Sequence, residues 1–259
     1  MRIRIGFSRD DRMKYLSHLD LMRIFGRAIR RGGIPVAYTE GYNPHAKMVF
    51  GLPLQVGVTG EAEYMDIETD KNVDTGDIMF MFNASLPQGI AVKTAREAKA
   101  KENIMAIITH AAYEMTVAYG AEDIRRHNCA GCLPDDELKK AVAGFLLPGP
   151  RIVVKGRGGK PGGGKPNGGK PGAKKSKPER VMDLAPLVRS LNAHGDTLVM
   201  TVSAGSVDNV SPDLVLKALN DAYGGDEPFF KRASLHRKAL YVERGGELYK
   251  PDDAVICGN

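Results

Sequence analysis

Residues 14–50 read KYLSHLDLMRIFGRAIRRGGIPVAYTEGYNPHAKMVF, and this stretch decides the fold. It predicts a capped helix, a strand, a rigid turn and a second strand. Ser17 is a good N-cap residue, and Asp20 three residues on completes a pattern like a capping box, which satisfies backbone N–H groups that otherwise lack partners. Leu21, Ile24, Phe25, Ala28 and Ile29 recur at helical spacing as one apolar face. Arg23, Arg27, Arg30 and Arg31 recur on the opposite face. Gly32 and Gly33 end the helix, glycine being the usual residue just past a helix C-terminus. Residues 35–39 read as a strand and Gly41-Tyr42-Asn43-Pro44-His45 as the turn after it. Glycine permits positive φ, and proline drives the preceding Asn43 towards an extended conformation.

Four arginines on one exposed helix face have two readings. In one they only solvate the helix, and basic residues favour its last turn through the dipole. In the other they bind phosphate or another anion, because the planar guanidinium fork matches phosphate oxygens. The stripe lacks the acidic partners four residues away that a solubilising face often carries. Beside it stand Tyr42, Asn43, His45 and Lys47, which the turn either presents as a stacking and hydrogen-bonding platform or packs as plain structure. His18 and Asp20 add a polar pair at the helix start. His18 is either a capping or packing residue or, as a neutral imidazole beside arginines, a general base towards a ribose hydroxyl, with His45 as a second member.

From residue 51 the sequence continues GLPLQVGVTGEAEYMDIE to residue 68. This long ungapped run, with its Ser17-His18-Leu19-Asp20 start, arginine-bearing helix and Gly41-to-His45 turn, resembles the N-terminal half of a bacterial family known as radical-SAM-linked proteins, the domain of unknown function 2344. The second half resembles the family more loosely, at 205–219 and 236–241. The resemblance implies a protein encoded beside, or fused to, a radical-SAM protein, often near genes for a ribonuclease and ribosomal proteins. It implies no reaction and supplies no catalytic residues.

Outward from this stretch, residues 2–8 place Ile3, Ile5 and Phe7 on one side of a half-buried strand. Residues 47–58 and 61–69 read as extended, split by a turn at Thr59-Gly60. Asp74 or Thr75 caps a helix whose apolar positions are Ile78, Met79, Phe82 and Leu86, and 90–95 is a strand. The order is β-α-β-β-α-β, the ferredoxin-like pattern. That fold puts two helices on one sheet face and leaves the other open, as RNA-recognition folds do, although no RNP-type aromatic motif is present. Residues 99–109 read as a connector. Then come a strand at 113–119, a helix at 135–145, a strand at 151–155, a short helix or turn within 181–191, a strand at 197–203, a helix started by Ser211-Pro212 and a strand at 237–243. The expected fold class is α+β: two tandem ferredoxin-like (βαββαβ) units with antiparallel sheets, residues 1–98 and 110–259, the second interrupted by a disordered Gly/Lys/Pro loop at 156–178.

That loop repeats KPGGG, KPNGG and KPGAK at five-residue spacing, and glycine and proline this dense cannot bury a core. It carries +7 with no acidic residue, against a net charge of +6 for the chain, so the remainder is near neutral at −1. Evidence for an anionic partner is therefore local, in the arginine helix and the loop, whose lysines either touch RNA or keep the loop soluble. No apolar run of about 18 residues exists, so no membrane span is expected. MRIRIGFSRDD carries charges where a signal peptide needs an apolar core, and the expected location is cytoplasmic.

Cys129 and Cys132 form a CxxC, for which only His127 and distant Cys257 offer a second pair of ligands, a weak signal for metal. No cofactor is expected. The chain has no CxxxCxxC cluster motif, so any radical chemistry belongs to a partner. No Walker loop, GxGxxG fingerprint or nucleophile elbow occurs. The leading expectation is a noncatalytic RNA-binding or adaptor protein that works with a radical-SAM partner in RNA or ribosome maturation. Its contact surface would be Arg23, Arg27, Arg30, Arg31, Tyr42, Asn43, His45 and Lys47. An RNA-processing or RNA-modifying enzyme using His18 and His45 is the first alternative, and a protein-only adaptor whose arginines meet acidic residues of a partner is the second.

Overall fold

In strand β1 (Arg2–Arg9) Ile3, Ile5 and Phe7 are buried against one side of the sheet, and Arg4 is buried on the other. A computed structural model describes residues 1–99, 102–119, 134–150, 152–155, 180–223 and 228–258. After β1 come helix α1 (His18–Gly32), β2 (Met48–Phe50), β3 (Thr59–Glu68), α2 (Thr75–Ser85) and β4 (Ile90–Glu97). The second half adds α3 (Ile104–Ile107), β5 (His110–Tyr119), α4 (Pro134–Leu146), β6 (Ile152–Lys155), β7 (Arg180–Asp183), β8 (Val188–His194), β9 (Thr197–Ser203), α5 (Pro212–Tyr223), β10 (Phe230–Arg244), β11 (Glu247–Tyr249) and α6 (Ala254–Cys257).

The protein is a mixed α+β structure with a largely antiparallel sheet. Among the described residues nine strands join in one sheet, its main path running β4-β1-β3-β10-β5-β9-β8, with β2 beside β3 and β11 beside β10. The first half is ordered β4-β1-β3-β2 and the second β10-β5-β9-β8. The halves meet where β3 and β10 run parallel over two residue pairs, Thr59 with His236 and Gly60 with Arg237. Strands β6 and β7 form a separate hairpin. The first core gathers Ile3, Ile5 and Phe7 with Phe25, Ile29 and Phe82 of α1 and α2, and its rings meet edge to face, Phe7 to Phe25 at 5.0 Å and Phe25 to Phe82 at 5.7 Å.

The structure corrects four local readings. Residues 35–39 are no continuous strand but make two isolated bridges, Val36 to Thr69 and Tyr38 to Ala46. The extended run at 47–58 shrinks to β2, and Thr59-Gly60 opens β3 instead of turning. The reason is side-chain capture of the backbone. Arg9 donates to the carbonyls of Leu16, Gln55 and Val58 at 3.3, 3.2 and 2.8 Å, and Arg237 to that of Leu52 at 2.7 Å, so 51–58 is a pinned loop. Residues 181–191 hold two strands around a 3-10 turn at Ala185–Leu187, where Pro186 cannot donate to a ladder.

The fourth correction concerns the sheet face turned away from α1 and α2. The ferredoxin-like reading leaves it open, but the C-terminal segment covers it. Arg4 pairs with Asp66 through two hydrogen bonds, at 2.8 and 3.0 Å, and donates to the Pro251 carbonyl at 2.9 Å. Asp252 accepts from Tyr64 at 3.0 Å and from Thr94 at 2.6 Å. Burial first, and then the Asp252 carboxylate, keep the Tyr64 phenol protonated far above its ordinary range. In the second half the alternation survives. Leu198, Met200 and Val202 of β9 are buried while Thr197, Val199 and Thr201 stay partly exposed, so the open face lies there. The Gly/Lys/Pro loop at 156–178 lies outside the described residues.

Candidate nucleic-acid interface

Helix α1 is built as its sequence specifies. The Ser17 hydroxyl oxygen accepts from the Asp20 N–H at 3.2 Å and its O–H donates to the Asp20 carboxylate at 2.7 Å. That hydroxyl, and then Arg23, hold the Asp20 carboxyl below the usual carboxylate range. Gly33 closes the helix in the left-handed region, at φ 60°. Leu21, Phe25, Ala28 and Ile29 are buried, which turns Arg23, Arg27 and Arg30 to solvent.

The chain then doubles back over this arginine face. Besides the Tyr38–Ala46 bridge, the Lys47 N–H donates to the Ala37 carbonyl at 2.7 Å and the Thr39 N–H to the His45 carbonyl at 2.9 Å. The His45 N–H donates to Thr39 Oγ1 at 3.0 Å. Gly41 takes φ 116°, a conformation side chains rarely adopt, and so lets the tip reverse. A short hairpin results, and between it and α1 lies a cleft of about 360 Å³. Arg23, Arg27 and Arg30 line it from the helix, and Tyr38, Pro44 and His45 from the hairpin. Met22 and Met48 add apolar surface. At 1.5 Å per residue, Arg23 to Arg30 spans about 10 Å of the helix axis.

Of the residues singled out in the sequence, the cleft gathers Arg23, Arg27, Arg30 and His45. Arg23 also pairs with Asp20 at 3.1 Å, an acidic partner three residues away where the four-residue spacing has none. The guanidinium groups of Arg27 and Arg30 make no hydrogen bond or ion pair to any described residue. Arg31 is not brought in, because it donates to the Ser85 carbonyl at the end of α2 and ties the two helices together. Tyr42 stands fully exposed at the hairpin tip beside exposed Asn43, away from the cleft lining. Lys47 leaves on the other side of the hairpin towards Glu68, 3.4 Å away, in a separate hollow shared with Arg2 and Asp66.

His18 packs edge-on against Phe50, ring centroids 5.5 Å apart, and lines a small internal hollow with Arg9 and Glu63. His18 and His45 thus line different cavities. Among the described residues no group of three or more His, Cys, Asp or Glu is placed to hold a metal ion. Cys129, Cys132 and His127 lie outside the described residues. Burial pushes the Cys257 thiol up, and its Sγ faces the Pro251 carbonyl at 3.7 Å.

Sequence reasoning missed Tyr38, Gly26, Met22 and Met48. The sequence pattern places Tyr38 in a strand, and the hairpin that turns it towards α1 depends on contacts the pattern does not encode. Gly26 did leave a signal, a glycine inside an otherwise strong helix, where it weakens the helix relative to alanine.

The fold and the cleft define a mixed α+β protein with a cationic groove between a capped helix and a short hairpin. The chain belongs to a family described as uncharacterised protein conserved in bacteria, the domain of unknown function 2344, whose model matches residues 2–160, more than half of the chain and the whole of the cleft. No curated protein matches the chain. A solved structure titled "Crystal Structure of a Cbf5-Nop10-Gar1 Complex" is similar to it at TM-score 0.43 and 9% identity, over 91% of this chain and 48% of the other, so this chain spans about half that length. No helix among the described residues is long and apolar enough to cross a membrane.

Proposed function

We propose that this protein is a noncatalytic RNA-binding or adaptor protein that grips RNA phosphates in the α1 cleft and works in the cytoplasm with a radical-SAM partner in RNA or ribosome maturation. The observation that carries the RNA contact is the pair Arg27 and Arg30, whose side chains lack any described partner and share a cleft with Arg23, His45 and Tyr38. A guanidinium without an internal partner offers its whole donor fork to phosphate. A half-exposed ring beside the arginines favours a nucleic acid over an acidic peptide, because bases bring π faces along with phosphates. The partner rests on the resemblance of residues 14–68 to radical-SAM-linked proteins. With His18 and His45 lining different cavities, the geometry favours holding RNA over cutting or modifying it. The shared strand permutation of the two halves supports reading them as two ferredoxin-like units, residues 1–98 and 110–259.

The test is the affinity of labelled single-stranded RNA across a salt series. Arg27→Gln with Arg30→Gln should weaken binding and flatten the log–log slope by about 1.4, at roughly 0.7 per phosphate contact. An unchanged slope would reduce the arginines to a solvated face and overturn the reading.

A further inference from the structure

We infer that the α1 cleft takes one unpaired nucleotide, with its base between helix and hairpin and its flanking phosphates on the arginines, so that the protein selects single-stranded over duplex RNA. This deepens the RNA-binding reading and rests on it. Three features of the cleft carry it.

The first is its chemistry. Beside the arginines, Leu19 and Met22 of the same helix, Pro44 of the hairpin and Met48 of β2 give the cleft an apolar part. A surface built only for a phosphate backbone needs no such apolar recess, since that contact is electrostatic and does not depend on the bases. A base needs one, because its faces are apolar and pack on rings and on polarisable thioethers. Tyr38 supplies the ring, 40% exposed and part of the lining.

The second is size. At about 360 Å³ the cleft is near the lower end of sites that hold small molecules, roughly 300–1,000 Å³. One nucleotide suits that space. A duplex keeps its bases stacked and paired and presents only edges, so it can touch the arginines but cannot fill the recess.

The third is Gly26. It sits inside α1, lines the cleft, and has no side chain to fill it. A Cβ there would meet only Met48 Cε, at 3.9 Å, an ordinary contact. Packing therefore does not demand glycine at this position, and helix propensity opposes it. What glycine does is keep the recess empty. No Asp or Glu lines the cleft among the described residues, so nothing there repels the phosphates beside the base.

The experiment compares a short random-sequence single-stranded RNA with a duplex of the same length, using the full chain. Wild type should bind the single strand more tightly. Gly26→Leu replaces glycine with a strong helix former and fills the recess while leaving every arginine in place. Tyr38→Ala removes the ring at an exposed position. Each should weaken single-strand binding by roughly 5- to 140-fold, the range for losing one base–aromatic stack, with the salt slope unchanged. Thermal melts confirm that both variants fold. Equal affinity of wild type for single strand and duplex would overturn the inference, as would unchanged single-strand affinity in both variants. If Arg27→Gln with Arg30→Gln still weakens binding and flattens the salt slope in that case, only the unpaired-nucleotide inference falls. If the arginine variant binds like wild type, the RNA reading falls with it.

Discussion

Arginine does opposite work in two regions of this molecule. Inside, Arg4, Arg9 and Arg237 are almost wholly buried, each held by a carboxylate or by backbone carbonyls. Outside, Arg27 and Arg30 are exposed on α1, and their guanidinium groups make no bond to any described residue. An uncompensated buried charge costs several kcal/mol, so an interior guanidinium must be paired and is then spent on architecture. Only the exposed ones keep donors free for a ligand. Arg9 marks the limit of the rule, since its Nε is buried without a partner while its other nitrogens pin the loop at 51–58. The count of arginines thus says little about nucleic-acid binding, and their pairing says a good deal.

The comparison can be broken or sharpened by mutation. Arg237→Met should have the largest effect, destabilising the fold by about 3–5 kcal/mol in urea titrations, because it strands buried Glu63. Adding Glu63→Met should restore most of that loss. A double variant no better than the single would show that the ion pair is not what Arg237 supplies.

Asp252→Ala comes next. It leaves Tyr64 and Thr94 without their acceptor and should cost about 1–3 kcal/mol, with the C-terminal segment becoming more open to protease. Gly26→Ala works the other way and should stabilise α1 by about 0.5–1 kcal/mol, read as a raised melting temperature.

A pH effect follows from His110. Burial, opposed by Glu243, holds its imidazole below the ordinary value of 6.5. The unfolded chain therefore takes up the proton first, so stability is intact above about 6.5 and falls as pH drops through that value towards the folded one. His110→Gln should flatten that decline in melts at falling pH. At the small end, Arg27→Gln with Arg30→Gln should move stability by no more than about 0.5 kcal/mol. A large loss there would erase the distinction between interior and surface arginines.

The sequence made the local parts legible. Ser17, Asp20 and Gly33 mark the ends of α1, and Gly41 marks the turn, because capping and positive φ depend on a few neighbouring atoms. The strand Thr197–Ser203 and the helix start at Pro212 were equally plain. What stayed hidden depends on distant chain. Arg2-Ile3-Arg4-Ile5 looks half-solvated until Pro251 and Asp252, more than two hundred residues on, close over Arg4 and its neighbours. Arg237 reads as one more cation on a strand until Glu63 and the Leu52 carbonyl claim it. The cleft was half legible. Helical spacing grouped Arg23, Arg27 and Arg30 correctly, but which hairpin residues face them is set by a bridge at Tyr38 and Ala46 that lies outside any regular strand.

The most direct test of the account is crosslinking in cells, with the protein purified under denaturing conditions and the attached RNA sequenced, for the wild type and for Arg27→Gln with Arg30→Gln. The account predicts discrete RNA peaks for the wild type that disappear in the variant while its abundance and melting temperature hold. Wild-type protein with no RNA above background, or peaks that survive in the variant, would contradict it.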